Sequence, residues 1–273
     1  MAQTRAFKLG YIFVDPVHTF DSMEVFGRAL QRVRDIGFDG VEIPATPHLN
    51  SEVEALKKTA AKAGMPICSL MSGWSYFNEG LCFCSPNAEL RERAVARVIE
   101  YVDIAAQLGA VLVFGQMQGF RKDEPDGAVA NERIAEGLYR VARAAEGRGV
   151  TVVFEPVNHL QVGFNHTVAE VMSMVQQVNS PALRPMVDTI HMNIEERSIT
   201  EPIHRVGRSL AHVHLCETNG AMLGSGHLDV PAVLHALMEI RYLGYVSVKI
   251  YREVSWEQAA HGAMVYLKTI GVA

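Results

Sequence analysis

Short β-branched runs alternate with longer amphipathic stretches from one end of the chain to the other, and that rhythm constrains the fold more than any other feature. Adjacent parallel strands need a crossover between them, and a helix is the usual one, so strand-helix-strand repetition predicts a parallel sheet with helices packed against it. The runs are LGYIFV from Leu9, GVEI from Gly40, PICSL from Pro66, VLVFG from Val111, VTVVF from Val150, PMV from Pro185, AHVHL from Ala211 and VSVKI from Val246. Eight of them predict a closed (β/α)8 barrel, an α/β fold in one domain spanning residues 1–273.

The stretches between the runs carry helix-start chemistry. Ser51 with Glu54, Thr167 with Glu170, and Ser255 with Gln258 match the capping box, in which two side chains satisfy backbone donors at a helix start. Ser85 followed by Pro86 marks another start, because proline's fixed φ suits the first helical position. From there Leu90, Ala94, Val95, Val98, Tyr101, Val102 and Ala105 recur at helical spacing through Asn87–Leu108. Residues 118–127, with GFRKDEPDG at their centre, read as one long exposed loop.

Composition narrows the function. With 273 residues the chain can bury roughly three quarters of its unfolded surface. A formal net charge of −5 gives no electrostatic reason to expect nucleic acid or an anionic membrane as partner, so a small molecule is the default. Cys68, Cys82, Cys84 and Cys216 form no CxxC pair and are too few for a disulfide scaffold at this length, which predicts reduced, buried thiols in a cytoplasmic protein. MAQTRAFKLG has no apolar leader segment, and no run approaches the ~18 apolar residues of a membrane span.

Alternation within the runs places the chemistry. Val246, Val248 and Ile250 share one strand face, so Ser247 and Lys249 share the other; Val213 and Leu215 likewise oppose His212 and His214, and Val152 and Phe154 oppose Glu155. Glu155, Asp188, His214 and Lys249 each sit at or near the end of a run, and barrels of this kind build their sites at the C-terminal ends of the strands. Two carboxylates and an imidazole suit Mn²⁺, Mg²⁺, Co²⁺ or Zn²⁺, with positions left for substrate oxygens. Taken singly, Asp188 also reads as a turn cap before Thr189, and His214 as a satisfied interior histidine.

The chain resembles the xylose isomerase-like barrels grouped as sugar phosphate isomerases and epimerases, above all the ketose 3-epimerases of the D-tagatose and D-psicose type. The resemblance rests on FDGVEI, SPNAELRERAV, LGAVLVFG, FEPVNH, VDTIHMN, HVHLCETNG and GHLD, spread over nearly the whole chain. It implies that Glu155, Asp188 and His214 bind a divalent metal, Mn²⁺ before the others, and that His191 contacts a carbohydrate substrate. A homodimer or homotetramer is the assembly expected with it. Those epimerases use two metal-bound glutamates on opposite sugar faces, and Lys249 stands where the second belongs. Gln161 stands where they tend to have a glutamate, and Gly220 near a usual arginine, so substrate identity is not inherited.

An ammonium beside a cation must either stay neutral with a depressed pKa or pair with a carboxylate, for which Glu42, inward by alternation, is the expected partner and a second candidate contact for substrate. Glu155 and Lys249 are the expected catalytic pair, with a Schiff base at Lys249 or a mere buried ion pair as other readings. His159 and Trp74 are expected at the substrate; Tyr76 and Phe77 read as pocket wall or loop packing, and His18 and His48 as loop residues. The expected function is isomerisation or epimerisation of a small sugar, keto sugar or sugar acid by proton abstraction beside a carbonyl. The alternatives are a lyase that eliminates or decarboxylates, and a non-catalytic sugar-binding barrel. DNA repair endonucleases share the fold, but SGWSYFNEG supplies none of the extra histidines their trinuclear zinc site needs.

Overall fold

All eight apolar runs are strands in the computed structural model, which describes residues 7–252 and 255–272. The first five residues of the stretch read for a leader, and Phe7's predecessor Ala6, lie outside the described residues. The strands are β1 (Lys8–Ile12), β2 (Gly40–Pro44), β3 (Ile67–Met71), β4 (Val111–Phe114), β5 (Val152–Phe154), β6 (Leu183–Asp188), β7 (His212–Cys216) and β8 (Tyr245–Lys249). They pair in parallel and in chain order, and β8 closes on β1. The helices are α1 (Met23–Ile36), α2 (Leu49–Ala63), α3 (Trp74–Glu79), α4 (Ala88–Leu108), α5 (Gly127–Arg148), α6 (Val168–Val178), α7 (Thr189–Glu195), α8 (Glu201–Val206), α9 (Val230–Glu239) and α10 (Trp256–Thr269). Among the described residues no helix is long and apolar enough to cross a membrane.

Two capping boxes form as read, at Thr167 for α6 and at Ser255 for α10. The other two starts shift. Helix α2 begins at Leu49, before Ser51, whose hydroxyl instead donates to the His48 carbonyl. Helix α4 is capped by Asn87, whose Oδ1 accepts the Glu89 and Leu90 amides, while Ser85 accepts the Asn87 amide and so shapes the approach. The stretch 118–127 is less exposed than its composition predicts, because Gln118 is buried in a short turn of 3-10 helix and Glu124 is tied to Arg133 at 2.6 Å. All four cysteines are buried and unpaired.

Outward strand residues pack against the helices in one large cluster; inward ones form a separate, smaller set of Val113, Val153 and Met186. Toward the C-terminal rim the interior turns polar, with Glu42, Ser69, His212 and Ser247 in one zone and Glu155, Asp188, His214 and Lys249 at its edge. The parity is strict: Met186 and Asp188, Val153 and Glu155, His212 and His214 are each two residues apart.

Helix α5 holds a matched pair of glycines that test this packing. A Cβ at Gly137 would lie 2.4 Å from the buried Phe83 ring, whereas one at Gly147 meets nothing within 4 Å. Urea unfolding of Gly137→Ala should show a loss of about 1–3 kcal/mol from overpacking. Gly147→Ala should gain about 0.5–1 kcal/mol from helix propensity alone. Equal effects at the two positions would contradict the packing of α5 on Phe83.

Candidate active site

The polar edge of the interior is built from the ends of consecutive strands. Glu155 follows β5 directly, Asp188 ends β6, His214 lies in β7 in register with Asp188, and Lys249 ends β8. Three of these side chains have at most 4% of their surface exposed; that of Lys249 is 17% exposed and reaches the pocket above them. Gly115 makes room for Glu155, since a Cβ there would come within 2.4 Å of its Oε2.

The two imidazole nitrogens of His214 face opposite ways. Nε2 lies 2.8 Å from Glu42 Oε1, and Nδ1 lies 3.1 Å from Glu155 Oε1 and 3.4 Å from Asp188 Oδ2. Glu42 Oε2 is occupied in turn by His212 Nε2, also at 2.8 Å. Glu42, expected at the substrate and as partner of Lys249, is therefore neither: it is fully buried beneath the site, and both its oxygens are engaged by histidines. Burial would raise its carboxyl, but the two imidazoles outweigh that and hold it well below the usual range. A buried carboxylate behind a histidine is the usual means of fixing which nitrogen that histidine offers to a metal.

Asp188 uses its oxygens separately. Oδ1 accepts the Ile190 amide at 3.0 Å and caps α7, as the turn-cap reading has it, and this leaves the other oxygen to face the interior groups. Oδ2 accepts from Lys249 Nζ at 2.6 Å. Lys249 thus takes the second course open to it, an ion pair, with Asp188 in place of the expected Glu42. Burial pulls the ammonium's pKa down, but the charges of Asp188 and Glu155 push it above its ordinary value, so the lysine is charged. Burial likewise opposes ionisation of Glu155 and Asp188, but the neighbouring cationic groups together outweigh it, His214 first among them at Glu155 and Lys249 at Asp188, and both pKa values lie below the usual range.

His191 is fixed by a neighbour that the sequence did not single out. Asn158 Oδ1 accepts the Leu160 amide at 3.1 Å, which turns the Asn158 amide nitrogen toward His191 Nδ1 at 2.7 Å. Nδ1 is then the acceptor, and the proton of the neutral ring sits on Nε2 by inference from that network. Burial favours the neutral ring by lowering its pKa. Nε2 is buried without a hydrogen-bond partner, 3.7 Å from Asp188 Oδ2 and 3.8 Å from Glu155 Oε1. It is a donor aimed at the space where a substrate oxygen would sit, and a protonated nitrogen does not ligate a metal.

Glu155, Asp188 and His214 fit a divalent cation. Two ligands at right angles, each about 2.1 Å from a small ion, stand about 3.0 Å apart; the His214 Nδ1 separations of 3.1 and 3.4 Å are close to that edge. Charge agrees as well: Glu42, Glu155 and Asp188 carry three negative charges against one on Lys249, and a divalent ion with neutral histidines brings the sum to zero.

Above these groups opens a cavity of about 350 Å³, lined by His191, Lys249, Gln161 and Trp74 as expected, and also by Gln116, Ile12, Met71, Phe77 and Tyr251. His159 is not among its lining residues; it is exposed and bound through Nδ1 to Glu195 at 2.6 Å. Tyr76 turns away to donate to Asp123, and His18 and His48 stack on each other at 4.4 Å, outside the cavity. Asn158 and Gln116 carried no signal beyond following strand ends, while Ile12 and Met71 are legible by alternation as inward residues at the ends of β1 and β3.

Residues 30–270 match a family model described as xylose isomerase-like TIM barrel. The chain is 29% identical over 225 residues to the ketose 3-epimerase of Arthrobacter globiformis, covering 80% of this chain and 75% of that one. It is 26% identical to the 3-dehydro-D-guloside 4-epimerase of Escherichia coli, covering 87% and 92%. The crystal structure of apo 3-keto-D-glucoside 4-epimerase from E. coli superposes with a TM-score of 0.83 at 22% identity, over 96% of this chain and 99% of that one.

Glu155→Gln and Asp188→Asn should each lose tightly bound Mn²⁺ by calorimetric titration while circular dichroism shows an intact barrel. His191→Ala should bind the ion as the parent does and lose affinity for sugar. Mn²⁺ binding unchanged in the first two variants, or lost in the third, would reassign the ligands.

Proposed function

This chain belongs to the xylose isomerase-like TIM barrel family, and we propose that it is a divalent-metal-dependent epimerase or isomerase of a small uncharged keto sugar. The observation that carries the reading is the convergence of Glu155, Asp188 and His214 beneath the proton of His191 Nε2 and the ammonium of Lys249. The two epimerases to which it is similar invert different carbons by name, C3 of a ketose and C4 of a 3-dehydro glycoside. In both, that carbon adjoins a ketone, and a hydrogen there is removable as a proton.

A cation held by Glu155, Asp188 and His214, Mn²⁺ foremost, supplies the positive charge that polarises the ketone and acidifies the neighbouring C–H. The chain's own groups do the rest. His191 Nε2–H donates to a sugar oxygen and fixes its position. Glu155, ionised and adjacent, takes the proton. Lys249, charged, cannot act as the first base; it is the donor that returns a proton, and having given one it becomes the base for the reverse direction. Asp188 keeps that ammonium protonated until a new negative charge competes for the proton. Among the described residues Lys249 is the one Lys or Arg that lines the cavity and is already paired, which favours an uncharged sugar over a phosphorylated one. The same charged donor supports a second reading, in which Lys249 protonates a departing β-substituent and the enzyme is a lyase. An unsaturated or shortened product separates the two. A cytoplasmic setting fits four unpaired thiols.

Lys249→Met, which keeps the stem and removes the amine, should lower turnover at least ~100-fold, the usual scale of a lost acid-base group. Lys249→Glu should tighten Mn²⁺ binding, since it replaces a repelled ammonium with a fourth carboxylate. Native turnover in Lys249→Met would reduce the lysine to a charge partner of Asp188.

A further inference from the structure

The chemistry at the rim makes no use of Cys82 and Cys84, which stand two residues apart in the segment between α3 and α4. Phe83 between them turns away: its ring packs on Phe114 at 4.7 Å and fills the space that a Cβ on Gly137 would need. The two thiols share the other face, buried, with their sulfurs 3.9 Å apart. One carboxylate oxygen of Asp123 lies within 4.8 Å of both.

Each of these groups is held from behind. The Phe83 amide donates to the Met117 carbonyl at 2.8 Å, and Arg133 donates to the Cys84 carbonyl at 2.9 Å while pairing its charge with Glu124. Asp123 Oδ2 accepts the Tyr76 hydroxyl at 2.8 Å and the Phe120 amide at 2.9 Å. Gly119 closes the near side: its φ of +97° suits glycine, and a Cβ there would lie within 2.3 Å of Cys84 Sγ and 3.2 Å of Cys82 Sγ. Asp123 alone of the three is half-exposed, so solvent ions reach the sulfurs past its carboxylate.

Two sulfurs, each about 2.3 Å from a tetrahedral Zn²⁺, stand about 3.8 Å apart, and the observed 3.9 Å matches that edge. A carboxylate beside two buried thiols disfavours either thiolate; a cation shared by all three removes the conflict. Two thiolates and a carboxylate carry three negative charges, of which a divalent ion leaves one, beside the Lys122 ammonium that lies over the Tyr76 ring at 5.7 Å.

We propose that Cys82, Cys84 and Asp123 form a second metal site, which takes Zn²⁺ with a water as fourth ligand. It is separate from the rim site and has a mechanical role. The turn from Gly115 to Gly119 runs between the two, packed on Glu155 at its start and on the sulfurs at its end. Zinc fixes that end of the turn, and through Asp123 and Tyr76 it holds α3, whose Trp74 and Phe77 line the cavity.

The test titrates Cd²⁺ alone into reduced, metal-free full-length protein. A thiolate-to-metal absorption band in the ultraviolet should grow with the intensity of two sulfurs per ion, and Zn²⁺ should bleach it by displacement. Cys82→Ser and Cys84→Ser should each weaken binding at that band at least ~100-fold, beyond the scale of an outer-sphere change. Asp123→Asn, which keeps an acceptor for Tyr76 and removes the charge, should weaken it ~10-fold. Cys216→Ser, on the strand that carries His214, should leave the band in place. A second measurement needs no variant: Zn²⁺ should slow alkylation of Cys82 and Cys84 by iodoacetamide, read by peptide mass. Absence of a band, or a band that Cys216→Ser alone removes, overturns the inference. So does oxidised glutathione joining Cys82 to Cys84 as readily with Zn²⁺ as without it, which would make them a redox pair.

Discussion

Three ionised carboxylates buried in the interior of one barrel are the constraint on which the site depends. Glu42, Glu155 and Asp188 each expose 3% of their surface or less. A buried carboxylate left unpaired either protonates or opens the structure to water, so each must find a positive partner within the same few ångströms. Glu42 finds two histidines, Asp188 finds Lys249, and Glu155 shares His214 with both. The histidines are adjustable: each can carry a proton or give it up. Lys249 is charged at rest, because the carboxylates around it raise its pKa above the ordinary value. One positive charge against three negative ones is a centre preorganised for a divalent cation, and carboxylates on both sides raise the His214 pKa above the imidazole range against the effect of burial.

Lysine at 249 changes this balance in a specific direction. With a glutamate there the interior would carry four carboxylates and no lysine, and a divalent ion would leave two negative charges uncompensated unless histidines took up protons. With lysine the ion alone closes the balance, and His191 and His214 stay neutral. A neutral His191 with its proton on Nε2 is the form needed to donate to a sugar oxygen, and Asn158 enforces the same form from behind. The lysine at the end of β8 and the asparagine in the loop after β5 therefore favour one protonation state of the histidine between them.

Much of this was legible in the sequence because it rests on local periodicity. Strand parity alone assigns Glu155, His214 and Lys249 to the interior, and their positions at run ends assign them to the rim. Periodicity does not give depth. Glu42 alternates inward as surely as Glu155, but it pairs in register with Ile12 and has no open space above it, so it supports His214 and does not meet the cavity. Nor does periodicity give partners across a barrel: the choice of Asp188 by Lys249, 61 residues away, follows from the closure of the sheet and from Asp188 Oδ1 being taken by the start of α7. His159 misled for a related reason. Following a strand end brings a residue to the rim, and a loop carboxylate, Glu195, then holds the ring away from the cavity.

The helix starts failed and succeeded for one cause. Thr167 and Ser255 cap as read: each is itself in extended backbone, and its side chain accepts the amide three residues on. At Ser51 the preceding turn through Thr46 and His48 has already begun to coil, so the helix starts earlier and the serine hydroxyl is spent on a carbonyl inside the first turn. That early start follows closely on β2, whose last residue, Pro44, lines the cavity, and it keeps the connection short, with none of residues 45–48 lining the cavity. The apolar side of the opening thus lies where β2 and β3 hand over to their helices within a few residues, while the longer connections after β5 and β7 leave room for the polar groups, His191's partner Asn158 among them, that hold the charged side in order.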